Sequence, residues 1–172
     1  MTPLELIWNG WRMRYIEGGA GSPAEAAGPQ QGSVFTRILR SGLSDDDAYI
    51  VHRGAHTFVL LNAFPYTPGH LMVLPYREIA NLEELDGDEA GELWPTVTRA
   101  VLALKAAYRP DGVNVGVNLG RAAGGSVSEH LHVHVVPRWT GDGNFMTSIA
   151  NARTLPEPLD DSAQRLRAAW PA

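Results

Sequence analysis

Hydrophobic and polar positions change their period several times along the chain, and each change marks an element. Leu4, Trp8, Trp11 and Tyr15 recur at helical spacing, with Arg12 and Arg14 off the stripe. That predicts an amphipathic segment over 1–17 that docks on the body of the protein. Residues 18–32 are rich in Gly, Pro and Ala and predict a flexible linker. Val34, Phe35, Ile38 and Leu39 then give one turn of helical pattern. After the polar turn Ser44–Asp47, strands are predicted over Ala48–His52 and Thr57–Leu61, joined by a hairpin at Arg53–His56. His52 and His56 flank that hairpin and are expected to be solvated. A loop stiffened by Pro65 and Pro68 and turned at Gly69 delivers His70 to a third strand, Leu71–Leu74, which ends at Pro75.

The period then lengthens again. A short helical piece over 81–85 breaks at Asp86-Gly87. A longer helix follows, with Leu93, Val97, Val101, Leu104 and Tyr108 on one side. Pro95 fits that helix in its first turn or at a kink. Val113–Leu119 alternates valine with Asn and Gly as a fourth strand, and a ten-residue glycine-rich connection leads to His130–Val136. There the alternation is strict, and it puts His130, His132 and His134 on one face and Leu131, Val133 and Val135 on the other. Asp160–Ser162 reads as the cap of a short terminal helix carrying Leu166 and Trp170. Five short strands with hairpin-like connections and one main helix predict an α+β domain with an antiparallel sheet. The helix is expected to cover Val113, Val115 and Leu131 and to leave the histidine face open. Asn118 is expected on the histidine side.

Composition narrows the classes. A chain of 172 residues, 44% hydrophobic and 19% charged, suits a single domain. No apolar run is long enough to span a bilayer, the first residues lack a signal-peptide pattern, and there is no cysteine. A cytoplasmic protein without membrane contact is the expectation. A net charge of −5 argues against a nucleic-acid partner. The basic residues are thirteen Arg and one Lys, Lys105, with no P-loop signature.

Three identical residues of modest strand propensity are hard to explain as a merely wet sheet face. Metal ligation is one alternative, but Glu129 is the only nearby acid to orient metal-bound imidazoles. Nucleophilic and acid–base catalysis at phosphorus is the other. An imidazole is neutral near pH 7 and attacks phosphorus readily, and a second one can serve the leaving group. Gly124-Gly125-Ser126 and Asn118 add the donors that a phosphoryl-type transition state requires.

His130-Leu-His132-Val-His134-Val-Val resembles the histidine triad (HIT) pattern, in which apolar residues alternate with the histidines. Asn62 before Pro-Gly-His70, Asn118 before the glycine loop, and Gly-Gly-Ser-Val at 124–127 stand where that family has supporting residues. The likeness covers a core of 34–139, leaving 140–172 as a C-terminal extension. The ending Glu-His-Leu-His-Val-His-Val-Val-Pro-Arg-Trp139 is similar to the actinobacterial-type diadenosine tetraphosphate phosphorylases. So are Trp11-Arg12-Met13-x-Tyr15 and Gly141-Asp142-x-Asn144-Phe145.

The resemblance implies a HIT-like fold and a two-step reaction at the α-phosphorus of a nucleotide. His132 would be the nucleophile and His134 would assist the leaving group. Ser126 and Asn118 would contact phosphate oxygens, and His130 and His70 would orient the site. Asn62 would bind ribose, and Phe35, Ile38 and Leu60 would line the base pocket. Ala63, Gly124, Gly125 and Trp139 would also border the nucleotide. Gly125 in place of the usual Gln, and one extra residue before His130, suit a phosphorylase that must seat inorganic phosphate. A hydrolase using water, a metal hydrolase and a non-catalytic nucleotide-binding protein are the competing readings. No cofactor is required for the covalent route, although a nucleotide substrate can carry Mg²⁺. A homodimer or higher homo-oligomer is the assembly the family implies.

Overall fold

The computed structural model describes residues 32–123, 127–142 and 157–172. The expected docking segment, nearly all of the linker, Gly124, Gly125, Ser126, Asn144 and Phe145 lie outside these residues. Helix α1 spans Val34–Arg40, and strands β1, β2 and β3 span Ile50–Arg53, Thr57–Leu61 and Leu71–Pro75. A 3-10 turn at Leu82–Glu84 precedes helix α2, Gly87–Tyr108. Strand β4 is Gly112–Val117, β5 is Val133–Arg138 and helix α3 is Leu159–Ala168. The five strands form one antiparallel sheet in the order β1-β2-β3-β5-β4. Among the described residues no helix is long and apolar enough to cross a membrane.

Register sorts the side chains between two faces. Val59, Val73 and Val133 form one transverse row and Leu61, Leu71 and Val135 another. Both rows pack under α2 with Leu93, Val97, Ala100 and Leu104. Leu60 pairs with Met72, Met72 with His134, and His134 with Gly116, so this row lies on the opposite face. Phe35 from α1 joins Leu60, Met72, Phe58 and Leu74 there in a second buried cluster. Each fully buried Leu, Val or Phe contributes roughly 1.5–3 kcal/mol. The two clusters therefore fix which way every strand faces, and with it the direction of the histidines.

Several expectations need correction. The first strand begins at Ile50, because the turn from Ser44 continues: Ala48 N–H bonds Ser44 O, and Tyr49 adopts a φ of 54°. The last strand begins at Val133, because the Leu131 N–H leaves the ladder for Ile79 O at 2.6 Å. Leu131 is nevertheless buried. Val115 is 43% exposed, since β4 is the sheet edge beyond the reach of α2, whereas Val113 does pack against the helix-side cluster. Pro95 sits well inside α2, outside its first turn. There it removes a donor from the carbonyl of Gly91, in a helix whose start is secured by the Asp86–Glu89 capping box.

The terminal helix exists, but Pro158 is its N-cap and Ser162 lies within it, bonding Glu157. Leu159, Ala163 and Leu166 join the α2-side cluster. Arg167 ties the helix to the Ile50 and Asp45 carbonyls and to Asp46. Trp170 stacks on His52 at 4.7 Å, so His52 is covered rather than solvated.

Candidate active site

The three histidines of the alternating run are not on an open face. His130 and His132 are 1% and 5% exposed, and His134 is half-buried. Phe35 closes over the first two, its ring 5.5 Å from that of His130 and 5.4 Å from that of His132. Only His134 belongs to β5; the other two lie in the segment that leads into it.

Hydrogen bonds give each ring a definite tautomer, because a carbonyl can only accept and a backbone N–H can only donate. His130 donates from Nε2 to Pro75 O at 2.9 Å, which leaves Nδ1 to accept from the Ser33 hydroxyl at 2.8 Å. His132 donates from Nδ1 to the carbonyl of His130 at 2.8 Å, so its Nε2 keeps a lone pair. His70, fully buried, accepts at Nδ1 from Tyr66 N–H at 3.1 Å, with the Asn62 amide nitrogen at 3.4 Å. Its Nε2–H therefore donates to His134 Nδ1 at 3.0 Å, and His134 carries its proton on Nε2. The His132 and His134 rings lie 4.8 Å apart and nearly perpendicular. One presents a nucleophilic nitrogen and its neighbour presents a hydrogen-bond donor. Beside them a cleft of about 570 Å³ runs along β4 and β5, bordered by His134 and Asn118.

The HIT domain family description matches residues 44–141, the stretch that holds the sheet and all of these histidines. The chain belongs to the HIT family. It is 44% identical over 169 residues to the AP-4-A phosphorylase of Mycobacterium tuberculosis, a match spanning 97% of this chain and 85% of that one. A second relative, the bis(5'-adenosyl)-triphosphatase of Saccharomyces cerevisiae, is 33% identical over 52% of this chain and 44% of its own length. Both relatives are enzymes, and so is this HIT protein. A solved HIT-like protein from Bartonella henselae shares the fold with a TM-score of 0.65 at 24% identity. The match covers 82% of this chain and 98% of that one.

Within the HIT site, burial lowers the pKa of each histidine of the run below the usual 6.5. His134 falls to about 4, through burial first and the neighbouring His132 second. All three rings are thus neutral in the folded protein near pH 7, as the tautomer chain requires. The unfolded chain takes up these protons near pH 6.5, before the folded chain does, and so binds more protons below that pH. The stabilisation is complete above pH 6.5 and is lost as pH falls towards about 4. Glu78 and Glu89, held below 4.5 chiefly by Thr36 and Arg77, add losses only in more acid solution. Thermal melts from pH 7.5 downward are expected to show the midpoint falling already between roughly pH 6.5 and 4.5. A flat midpoint across that window would contradict neutral buried imidazoles.

The remaining candidates divide. Ile38 and Leu60 lie in the Phe35 cluster on the histidine side of the sheet. Asn62 turns its amide oxygen to Phe64 N–H at 2.9 Å, and Ala63 follows it, half-buried, in the same loop. Trp139 is placed edge-on to Tyr108, at the end of α2, and shares none of the ring contacts that join the histidines. Among the described residues no group of three or more His, Cys, Asp or Glu is arranged to hold a metal ion.

Sequence reasoning missed Ser33, Glu78, Tyr66 and the Pro75 carbonyl. Ser33 caps α1, and its N–H and the Thr36 hydroxyl both bond Glu78. A serine just before a helical turn could have been read as a cap, but nothing in the sequence links it to His130 across 97 positions.

Proposed function

We propose that this HIT enzyme transfers a nucleotidyl group from a dinucleoside polyphosphate to inorganic phosphate through a covalent intermediate on His132. The observation that carries the reading is the pair of opposed tautomers on adjacent rings, His132 with a free Nε2 lone pair and His134 with an Nε2–H. In the first step His132 Nε2 bonds to the α-phosphorus as the bond to the bridging oxygen breaks. The departing oxygen accepts a hydrogen bond from His134. With diadenosine tetraphosphate the leaving group is ATP. In the second step a phosphate oxygen attacks the same phosphorus, the P–N bond breaks, and ADP leaves with His132 neutral again.

Near-full-length likeness to a protein named AP-4-A phosphorylase supports phosphate as the acceptor. Asn118 at the cleft beside His134 fits a donor to phosphate oxygens, and Ser126 is assigned the same task by its place in the motif. Asn62 and the Phe35, Ile38 and Leu60 wall are assigned to the nucleoside that stays on His132. The exposed edge of β4 supports a homo-oligomer.

Product analysis tests the acceptor. With diadenosine tetraphosphate and phosphate, the expected products are ADP and ATP in equal amounts. AMP and ATP in the presence of phosphate would make water the acceptor and the enzyme a hydrolase.

A further inference from the structure

The histidine face is asymmetric about His134. On the β2–β3 side the sheet is covered: Phe35, Leu60 and Met72 are at most 5% exposed. On the β4 side the sheet is bare, and here lies the cleft of about 570 Å³. His134 pairs with Gly116, Val136 with Asn114, and Arg138 with Gly112, so His134, Val136 and Arg138 share the cleft face. Four residues of strand carry that line roughly 13 Å away from the catalytic ring. A Cβ at Gly116 would meet nothing within 4 Å, so backbone forms the floor directly opposite His134. At the far end Arg138 pairs with Asp142 through both its Nε and Nη2 and donates to Asn114 Oδ1 at 2.8 Å. Its charge is balanced there. That end suits an uncharged heterocycle and sugar better than a phosphate chain. Tyr66, 48% exposed on the wall, adds an aromatic surface.

From this arrangement we propose that the β4–β5 cleft is the leaving-group subsite. The departing polyphosphate runs past His134 over Gly116, and its terminal nucleoside lies between Tyr66, Asn114 and Arg138. The inference rests on the nucleotidyl-transfer reading and adds a second half-site to it. Binding the remote nucleoside lets contacts far from phosphorus favour the dinucleotide over simpler esters.

The test compares kcat/KM for diadenosine tetraphosphate with that for the p-nitrophenyl ester of AMP, which has the same α-phosphorus and a small leaving group. Two variants obstruct opposite ends of the cleft. Gly116→Val adds a strand-favouring side chain in open space, and Asn114→Trp fills the nucleoside end. Each is expected to lower the tetraphosphate-to-ester ratio by about tenfold or more. Equal losses on both substrates, or no loss on either, would overturn the subsite while leaving the transfer reading intact. So would a change in oligomer size by sedimentation, which would make the cleft a contact between copies. A wild-type enzyme inactive on both substrates would instead sink the transfer reading, and the subsite with it.

Discussion

Replacing His132 by asparagine is expected to lower kcat for dinucleoside polyphosphates by roughly 10⁴-fold or more and to abolish the covalent adduct. The asparagine amide can still donate towards the carbonyl of His130, so the local backbone need not move. What disappears is the lone pair that His132 keeps at Nε2 because its Nδ1–H is engaged by that carbonyl. Circular dichroism and melting should stay close to wild type. Intact-protein mass spectrometry after a quench should show added mass of one nucleotidyl group in wild type and none in the variant. An adduct that persists in His132→Asn would move the nucleophile elsewhere and undo the assignment. Because kcat/KM reports the free enzyme, its acid limb in wild type should fall below pH 6.5, the direction in which burial moves His132.

His70→Phe should cost roughly 10²-fold in kcat with little change in KM. His70 touches no phosphorus in this scheme; it acts through His134, donating at 3.0 Å to its Nδ1 and so keeping the other proton on Nε2. Phenylalanine fills similar space but offers no donor, so His134 can place its proton on Nδ1 and present the wrong nitrogen to the departing oxygen. A packing defect would slow all substrates alike. The tautomer account makes a narrower claim: the loss should be large for an adenosine phosphoramidate, whose amine must gain a proton to depart, and small for the p-nitrophenyl ester of AMP, whose leaving group needs no assistance. Equal losses on the two would reduce His70 to a structural role.

The fold was legible wherever a pattern is local. Strand β2 follows from its apolar run, the two faces of β4 follow from alternation, and α2 follows from its apolar stripe after the break at Asp86-Gly87. What failed was set by neighbours distant in sequence. Strand order leaves Val115 at an edge, which its alternation cannot reveal. Ile79 takes the Leu131 N–H and so starts β5 three residues late. His52 looked like a solvated turn residue until Trp170 came to lie on it. In the site, the histidines were legible as a motif and His70 as its companion. Their tautomers depended on Pro75, Tyr66 and Ser33, groups whose part exists only once the sheet has formed.

The two rings that the proposed reaction uses are held by different kinds of partner, and this gives their orientation unequal tolerance of mutation. His132 is oriented by a main-chain carbonyl, which is present whatever side chain occupies position 130. His134 is oriented by the side chain of His70, which a single nucleotide change can remove. In the proposed scheme the orientation of the attacking ring therefore survives substitution of its partner's side chain, and the orientation of the ring that serves the leaving group does not. A descendant of this chain drifting towards inactivity should pass through a stage in which it still charges His132 but only from substrates whose leaving groups depart unaided.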